Sequence, residues 1–349
     1  MDIKEAKQKV DKIIKKARVH LYKPIQIAEI LHRDRVSKDI DLADLETYRN
    51  SSKKWRDVIC QEFIGRISTS SAKYQDNLFE KNAIPPEILV ILGKENRKTK
   101  GGVEAYIYRR FLERFSQLSN ALDYTVLHDK SSFDLIEFID SFREEAGLKR
   151  SIDKIYEIIV FALFSAVVDA LEVNIEISYN PEKTPILKEF ESFAKKVISL
   201  HPNIPNFNIP AKIFRGGITN ASDRGLDMWA NFGLAIQIKH LSLNEAMASK
   251  IVGSVTADRI VIVCKKAEKK VILSLLNQIG WKSRIQAIIT EDELVKWYEK
   301  AMTGIYSNLL GTQVLDTITK EIEVEFPATK SKEFNAFYNS RNYSSSLQF

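Results

Sequence analysis

Five consecutive positions, Ile260-Val261-Ile262-Val263-Cys264, carry no polar side chain. A run of this kind reads as a strand buried on both faces, the position parallel strands occupy beneath covering helices. A further strand is expected over 285–290. Thr290-Glu291-Asp292-Glu293 then forms a capping box that opens a helix through Met302. A helix over 266–279 would join the two strands. Strand, helix, strand, helix in this order describes a mixed α/β sheet.

Upstream lies a hairpin, 226–241. Ile236 and Ile238 alternate with Gln237 and Lys239, and Leu226 and Met228 flank Asp227. Ala230-Asn231-Phe232-Gly233 suits a tight reversal. A hairpin centred on Phe232 sets Asp227 across from Gln237, with Lys239 one pleat further along the same face, while the aliphatic residues enter a core. Two readings follow. Asp227 and Lys239 are a cross-strand ion pair at a sheet surface, of small energetic worth. Or they belong to a metal-assisted phosphodiester site. There, an Asp oxygen and a side-chain oxygen two residues before a Lys hold Mg²⁺, with the Lys beside the attacking water and the phosphate. The spacing Asp-x9-Gln-x-Lys arises often by chance and does not decide between them.

The 349 residues allow one large domain or two ordinary ones, and 44% hydrophobic content suffices for a sizeable core. The longest apolar run, 158–170, is interrupted by Ser165 and Asp169 and is too short to span a membrane. Met1-Asp2-Ile3-Lys4-Glu5 has charges where a signal peptide needs an apolar segment. Cys60 and Cys264 match no metal or redox spacing and suggest a reduced, cytosolic protein. A net charge of +6 mildly favours a polyanionic partner.

The first hundred residues read as helical: a basic helix over 4–21 ended by Pro24, another over 24–31, an acidic stretch 39–46 opening a third, and one over 55–63. The run 65–77 is rich in hydroxyls. Ser70 and Lys73 are its candidate phosphate or base contacts, against the plainer reading of a polar loop. A basic, flexible connection over 94–102 marks a boundary. A helical N-terminal region, 1–100, ends there. A core over 101–310 and an extension over 311–349 follow. Helices are expected over 103–118, 132–146, 152–171 and 184–200, and a strand over 172–178. Three prolines argue against regular structure over 201–210. A short strand over 211–215 leads to a polar loop, 216–225, in which Arg215, Asn220 and Arg224 are candidate phosphate or guanine contacts. The polar tail after Phe326 reads as disordered or loosely packed.

The span Asp227 to Lys239, with mixed strands and helices after it, resembles the PD-(D/E)xK nuclease superfamily. Within it the chain looks like the HaeII type of type II restriction endonuclease, on the stretches 17–24, 45–53, 68–77 (Ser-Thr-Ser-Ser-Ala-Lys-Tyr-Gln-Asp-Asn) and 223–233 (Asp-Arg-Gly-Leu-Asp-Met-Trp-Ala-Asn-Phe-Gly). The resemblance implies a prokaryotic cytoplasmic, Mg²⁺-dependent enzyme that cuts both strands of a short GC-rich palindrome and leaves 5′-phosphates. It implies a cognate methyltransferase that protects the host genome. A palindrome has two equivalent scissile bonds, so a homodimer is expected. On the same resemblance, the role of the helical N-terminal region, 1–100, would be DNA recognition or dimerisation. Asp227 matches the superfamily's metal-binding Asp, and Lys239 its Lys. Gln237 departs from the usual Asp or Glu, its oxygen still able to ligate metal without adding charge. A further carboxylate would then come from Glu157, ahead of Glu104 and Asp223. The competing readings are a structure-directed repair nuclease of the same fold and a non-catalytic DNA-binding protein. A nucleotide-binding protein is disfavoured, because no Gly-x-Gly-x-x-Gly follows a strand.

Overall fold

The computed structural model describes residues 2–17, 21–144, 151–216, 226–255, 257–267, 284–326 and 331–343. The chain forms two compact units, Met1–Ile155 with Ile318–Phe349, and Tyr156–Thr317. The basic segment 94–102 thus lies inside the first of them. No helix among the described residues is long and apolar enough to cross a membrane.

The described part of the first unit is helical. Helix Ile3–Lys16 starts on a capping box between Asp2 and Glu5 and buries Ala6, Val10 and Ile14. It ends at Lys16, well before Pro24. That proline stands in the first turn of helix Tyr22–Val36, where its missing N–H would have had no intrahelical partner. The acidic stretch after it holds only a 3₁₀ turn, Leu45–Thr47. There Asp41 and Asp44 accept from the backbone amides of Ala43 and Glu46 at 2.9 and 3.1 Å, local bonds that compete with a longer helix. Helix Ser51–Ile64 follows. Helix Pro86–Lys98 runs through most of the segment expected to be flexible, since Lys, Glu and Arg are good helix formers. A connection closing on Gly101, at φ 96°, leads into helix Gly102–Leu127.

Helix Ser331–Ser340 corrects the expectation of a loose tail. Phe334 is fully buried, 5.2 Å from the Phe63 ring and stacked at 5.6 Å on Phe111. Arg341 pairs with Glu29 at 3.1 Å. A few aromatic side chains anchor a segment whose average composition is polar.

The second unit begins within helix Ile152–Ala170. Strands β1 (Asn174–Ser178) and β2 (Asn206–Pro210) pair antiparallel, so part of the proline-rich stretch is regular after all. Both strands of a two-stranded ribbon are edges, and an edge tolerates proline. A five-stranded sheet follows in the order β3 (Ile213–Arg215), β4 (Met228–Ala230), β5 (Leu234–Lys239), β6 (Arg259–Cys264), β7 (Ile285–Thr290). The first three strands are antiparallel, and β5, β6 and β7 are parallel. The mixed sheet is as expected. Ile260, Ile262 and Cys264 have no exposed surface and pack with Ala248 and Ile251 of helix Glu245–Ser254. The capping box at Thr290 opens helix Glu291–Thr303, whose Tyr298 hydroxyl donates to the Ile159 carbonyl at 2.7 Å. The helix expected over 266–279 falls on residues outside the described set from 268 on.

Candidate active site

The hairpin closes through a three-residue connection. Gly233, at φ 84°, returns its N–H to the Ala230 carbonyl at 3.1 Å, a turn that favours glycine. Asn231 pins the turn to the preceding strand. Its side-chain oxygen accepts from Lys212 N at 2.8 Å, and its amide donates to the Pro210 carbonyl at 3.0 Å. The register is Met228 to Ile236 and Trp229 to Ala235. One further step sets Asp227 opposite Gln237, as the centre at Phe232 requires.

The ladder between β4 and β5 stops at that step, and a side chain takes over. The Asp227 carboxylate accepts from the Ile238 backbone N–H at 2.7 Å and from the Gln237 side-chain amide. The Lys239 ammonium lies 3.8 Å from the same oxygen. On the Asp227 backbone, the carbonyl accepts from Gly216 N at 2.8 Å, and a Cβ at Gly216 would come within 3.1 Å of that oxygen. Met228, Ile236 and Ile238 are buried beneath. Gln237 is buried too, whereas the side chains of Asp227 and Lys239 keep 18% and 35% of their surface in solvent. The site is therefore a half-open carboxylate with a buried amide on one side and an ammonium on the other.

Among the described residues no group of three or more His, Cys, Asp and Glu side chains could hold a metal ion. The Asp227 carboxylate, just before β4, and the Gln237 amide on β5 are nevertheless two hard oxygen donors side by side. That set fits Mg²⁺, which binds through one or two carboxylates and fills its shell with water and phosphate. The amide nitrogen of Gln237 now faces Asp227, and a half-turn of that amide presents its oxygen instead.

Glu157 and Arg215 meet elsewhere in the same unit, at 3.8 Å, with side chains only 7% and 6% exposed. Arg215 pairs in register with Met228, so its side chain shares the Met228 face of the sheet and not the Asp227 face. Its guanidinium is directed at a carboxylate and away from solvent. Ser70 and Lys73 are exposed in the first unit. Asn220, Asp223 and Arg224 lie outside the described residues. Glu104 is a fully buried member of a cluster in the first unit, with Arg35 and His32 around it.

Three features around the site were not singled out from sequence. One is the Ile238 amide, which period-two reading ignores because it concerns side chains. The second is an exposed, stacked pair, Phe214 and Trp229, with ring centroids 5.6 Å apart on β3 and β4. Register marks Trp229 as sharing the Asp227 face. The third is His240, next to Lys239, its ring 6.5 Å from that of Tyr156.

Residues 6–343 match the model of the HaeII restriction endonuclease family. The type II restriction enzyme HaeII of Haemophilus aegyptius is 60% identical over 346 residues, covering 99% of this chain and 98% of that one. The type II restriction enzyme NgoBI of Neisseria gonorrhoeae is 58% identical over 344 residues, 98% and 97% of the two chains. No solved structure matches. The expected resemblance thus holds over nearly the whole length, and the chain belongs to the HaeII restriction endonuclease family.

Proposed function

We propose that this protein is a type II restriction endonuclease whose reaction centre is Asp227, Gln237 and Lys239 on a PD-(D/E)xK core. The observation that carries this reading is the Asp227 carboxylate, seated where β4 and β5 part, with Lys239 3.8 Å away and solvent access to both. The succession of helix Ile152–Ala170, β3, β4, β5, helix Glu245–Ser254 and β6 is consistent with such a core.

A Mg²⁺ ion held by Asp227 and the Gln237 oxygen would neutralise phosphate charge and acidify the attacking water. Lys239 orients that water and offsets the charge that builds on the pentacoordinate phosphorus. The water oxygen forms a bond to phosphorus in line with the breaking P–O3′ bond, leaving a 3′-hydroxyl and a 5′-phosphate. Glu157 acts as a further acid near the centre, oriented by Arg215. Duplex DNA carrying a short GC-rich palindrome is the substrate, and a homodimer addresses its two scissile bonds. Ser70, Lys73, Asn220 and Arg224 contact DNA, whereas Arg215, expected among them, is engaged with Glu157. Residues 1–100 serve recognition or dimerisation, 101–310 form the nuclease core and 311–349 an extension. The protein works in a prokaryotic cytoplasm beside a methyltransferase that protects the host's own sites.

The test is digestion of unmethylated phage DNA with Mg²⁺ or with EDTA, read on a gel. Discrete bands that need Mg²⁺ are expected, and their mapped ends give site and stagger. A smear, or intact DNA across several substrates, would overturn site-specific cleavage.

A further inference from the structure

The segment between β1 and β2 carries two apolar stripes where its own packing uses one. It is built of short helical turns, Thr184–Glu189, Glu191–Phe193 and a wider turn Ala194–Ile198. Leu187, Ala194 and Leu200 are buried and pack with Ile177, Tyr179 and Phe207 of the ribbon. The other stripe is Ile186, Phe190, Phe193 and Val197, exposed by 56%, 56%, 59% and 63%. Phe190, Phe193 and Val197 line one shallow groove, with Glu189 and Lys196 on the same face. Ile186, Phe190, Phe193 and Val197 form a short apolar seam across the three turns. Soluble monomers rarely leave large side chains contiguous and uncovered in this way.

We propose that this face is a two-fold interface with a second copy of the same chain. The argument for a copy, and against an unrelated partner, is the charge pattern. The acid at 189 precedes the seam's centre and the base at 196 follows it. Antiparallel pairing about a two-fold axis near Phe193 brings Glu189 of one protomer beside Lys196 of the other, and does so twice. A two-fold contact demands such self-complementarity. The proposal rests on the reading of a palindrome cutter, which requires two copies, and adds the surface through which they meet.

Analytical ultracentrifugation without DNA tests it. The wild type sediments at twice the chain mass of 40.0 kDa, and F190E/F193E sediments at the single mass with an unchanged circular dichroism spectrum. E189K and K196E each raise the dimer dissociation constant about fivefold, in line with paired rim charges, and the E189K/K196E double variant restores it to within twofold. A monomeric wild type, a dimeric F190E/F193E variant, or a double variant weaker than either single one would overturn the proposal. Plasmid cleavage, measured separately, keeps the two claims apart. A wild type that dimerises through this face but cuts no DNA sinks the nuclease reading alone, and a monomer that cuts a palindrome sinks the interface alone.

Discussion

Two carboxylates entered from the sequence with different expected parts, Asp227 as the metal-binding acid and Glu104 as one candidate for a further one, and the structure treats them in opposite ways. Glu104 sits in the first turn of helix Gly102–Leu127 with no exposed surface. Arg35 donates to both its oxygens at 2.9 and 3.0 Å, Asn96 donates at 2.6 Å, and His32 Nδ1 lies 3.0 Å away. Burial raises its pKa, but the bonds from His32, Arg35 and Asn96 outweigh that and hold it at about 2. Asp227 has a comparable set of donors, yet it stands at a parting of strands with solvent before it. A carboxylate enclosed on all sides by donors holds a fold together. One gripped from behind and open in front can receive a ligand.

The sharpest way to break this contrast is to remove each acid in turn. Asp227→Ala should lower cleavage by about three decades or more, the several kcal/mol that a positioned cation supplies, while DNA binding in Ca²⁺ survives. Normal turnover would remove Asp227 from the reaction. Lys239→Met should cost on the order of 10²-fold in kcat, the scale of one lost charge-stabilising donor, read in single-turnover assays. Glu104→Ala should leave the cleavage rate of folded protein unchanged but cost about 2–4 kcal/mol of stability, since the partly buried Arg35 loses its carboxylate partner and the buried Asn96 amide its acceptor. Urea denaturation measures this, and loss of activity without loss of stability would reverse the assignment.

Acid should act on the same residue. Glu104 has a folded pKa of about 2 against an ordinary 4.5. Its ionised form therefore adds stability above pH 4.5, and that stability is lost as pH falls towards 2. The acid-unfolding curve of Glu104→Gln should be flatter across this window than that of the wild type. The smallest expected effect is at Gln237. Gln237→Glu places a second negative charge beside Asp227, so its melting temperature should fall in EDTA and recover with Mg²⁺, and cleavage should persist. A variant indifferent to Mg²⁺ would take Gln237 out of the metal's reach.

Much of the hairpin was legible, because strand alternation and turn geometry are local. Phe232 as centre, Asp227 across from Gln237 and Lys239 nearby follow from period two and a glycine. The apolar run 260–264 announced its parallel, doubly covered position for the same reason. Other features were hidden by the same local reading. Prolines masked β2, whose status as an edge depends on a partner more than 25 residues away. The tail's polar composition masked Phe334, whose burial depends on Phe63 and Phe111. The 184–200 segment read as one amphipathic helix, and only its packing against the ribbon reveals which stripe is spent and which is left over.

Sequence alone thus determined the strand order's raw material, the hairpin's register and the residue types at its end, all properties of neighbours in the chain. Tertiary structure decided which acid is available. The partners of Glu104 at His32 and Arg35 stand 72 and 69 positions away, and the solvent in front of Asp227 is a property of the folded surface. Availability is a matter of what surrounds a group in space, and no periodicity in the chain encodes it.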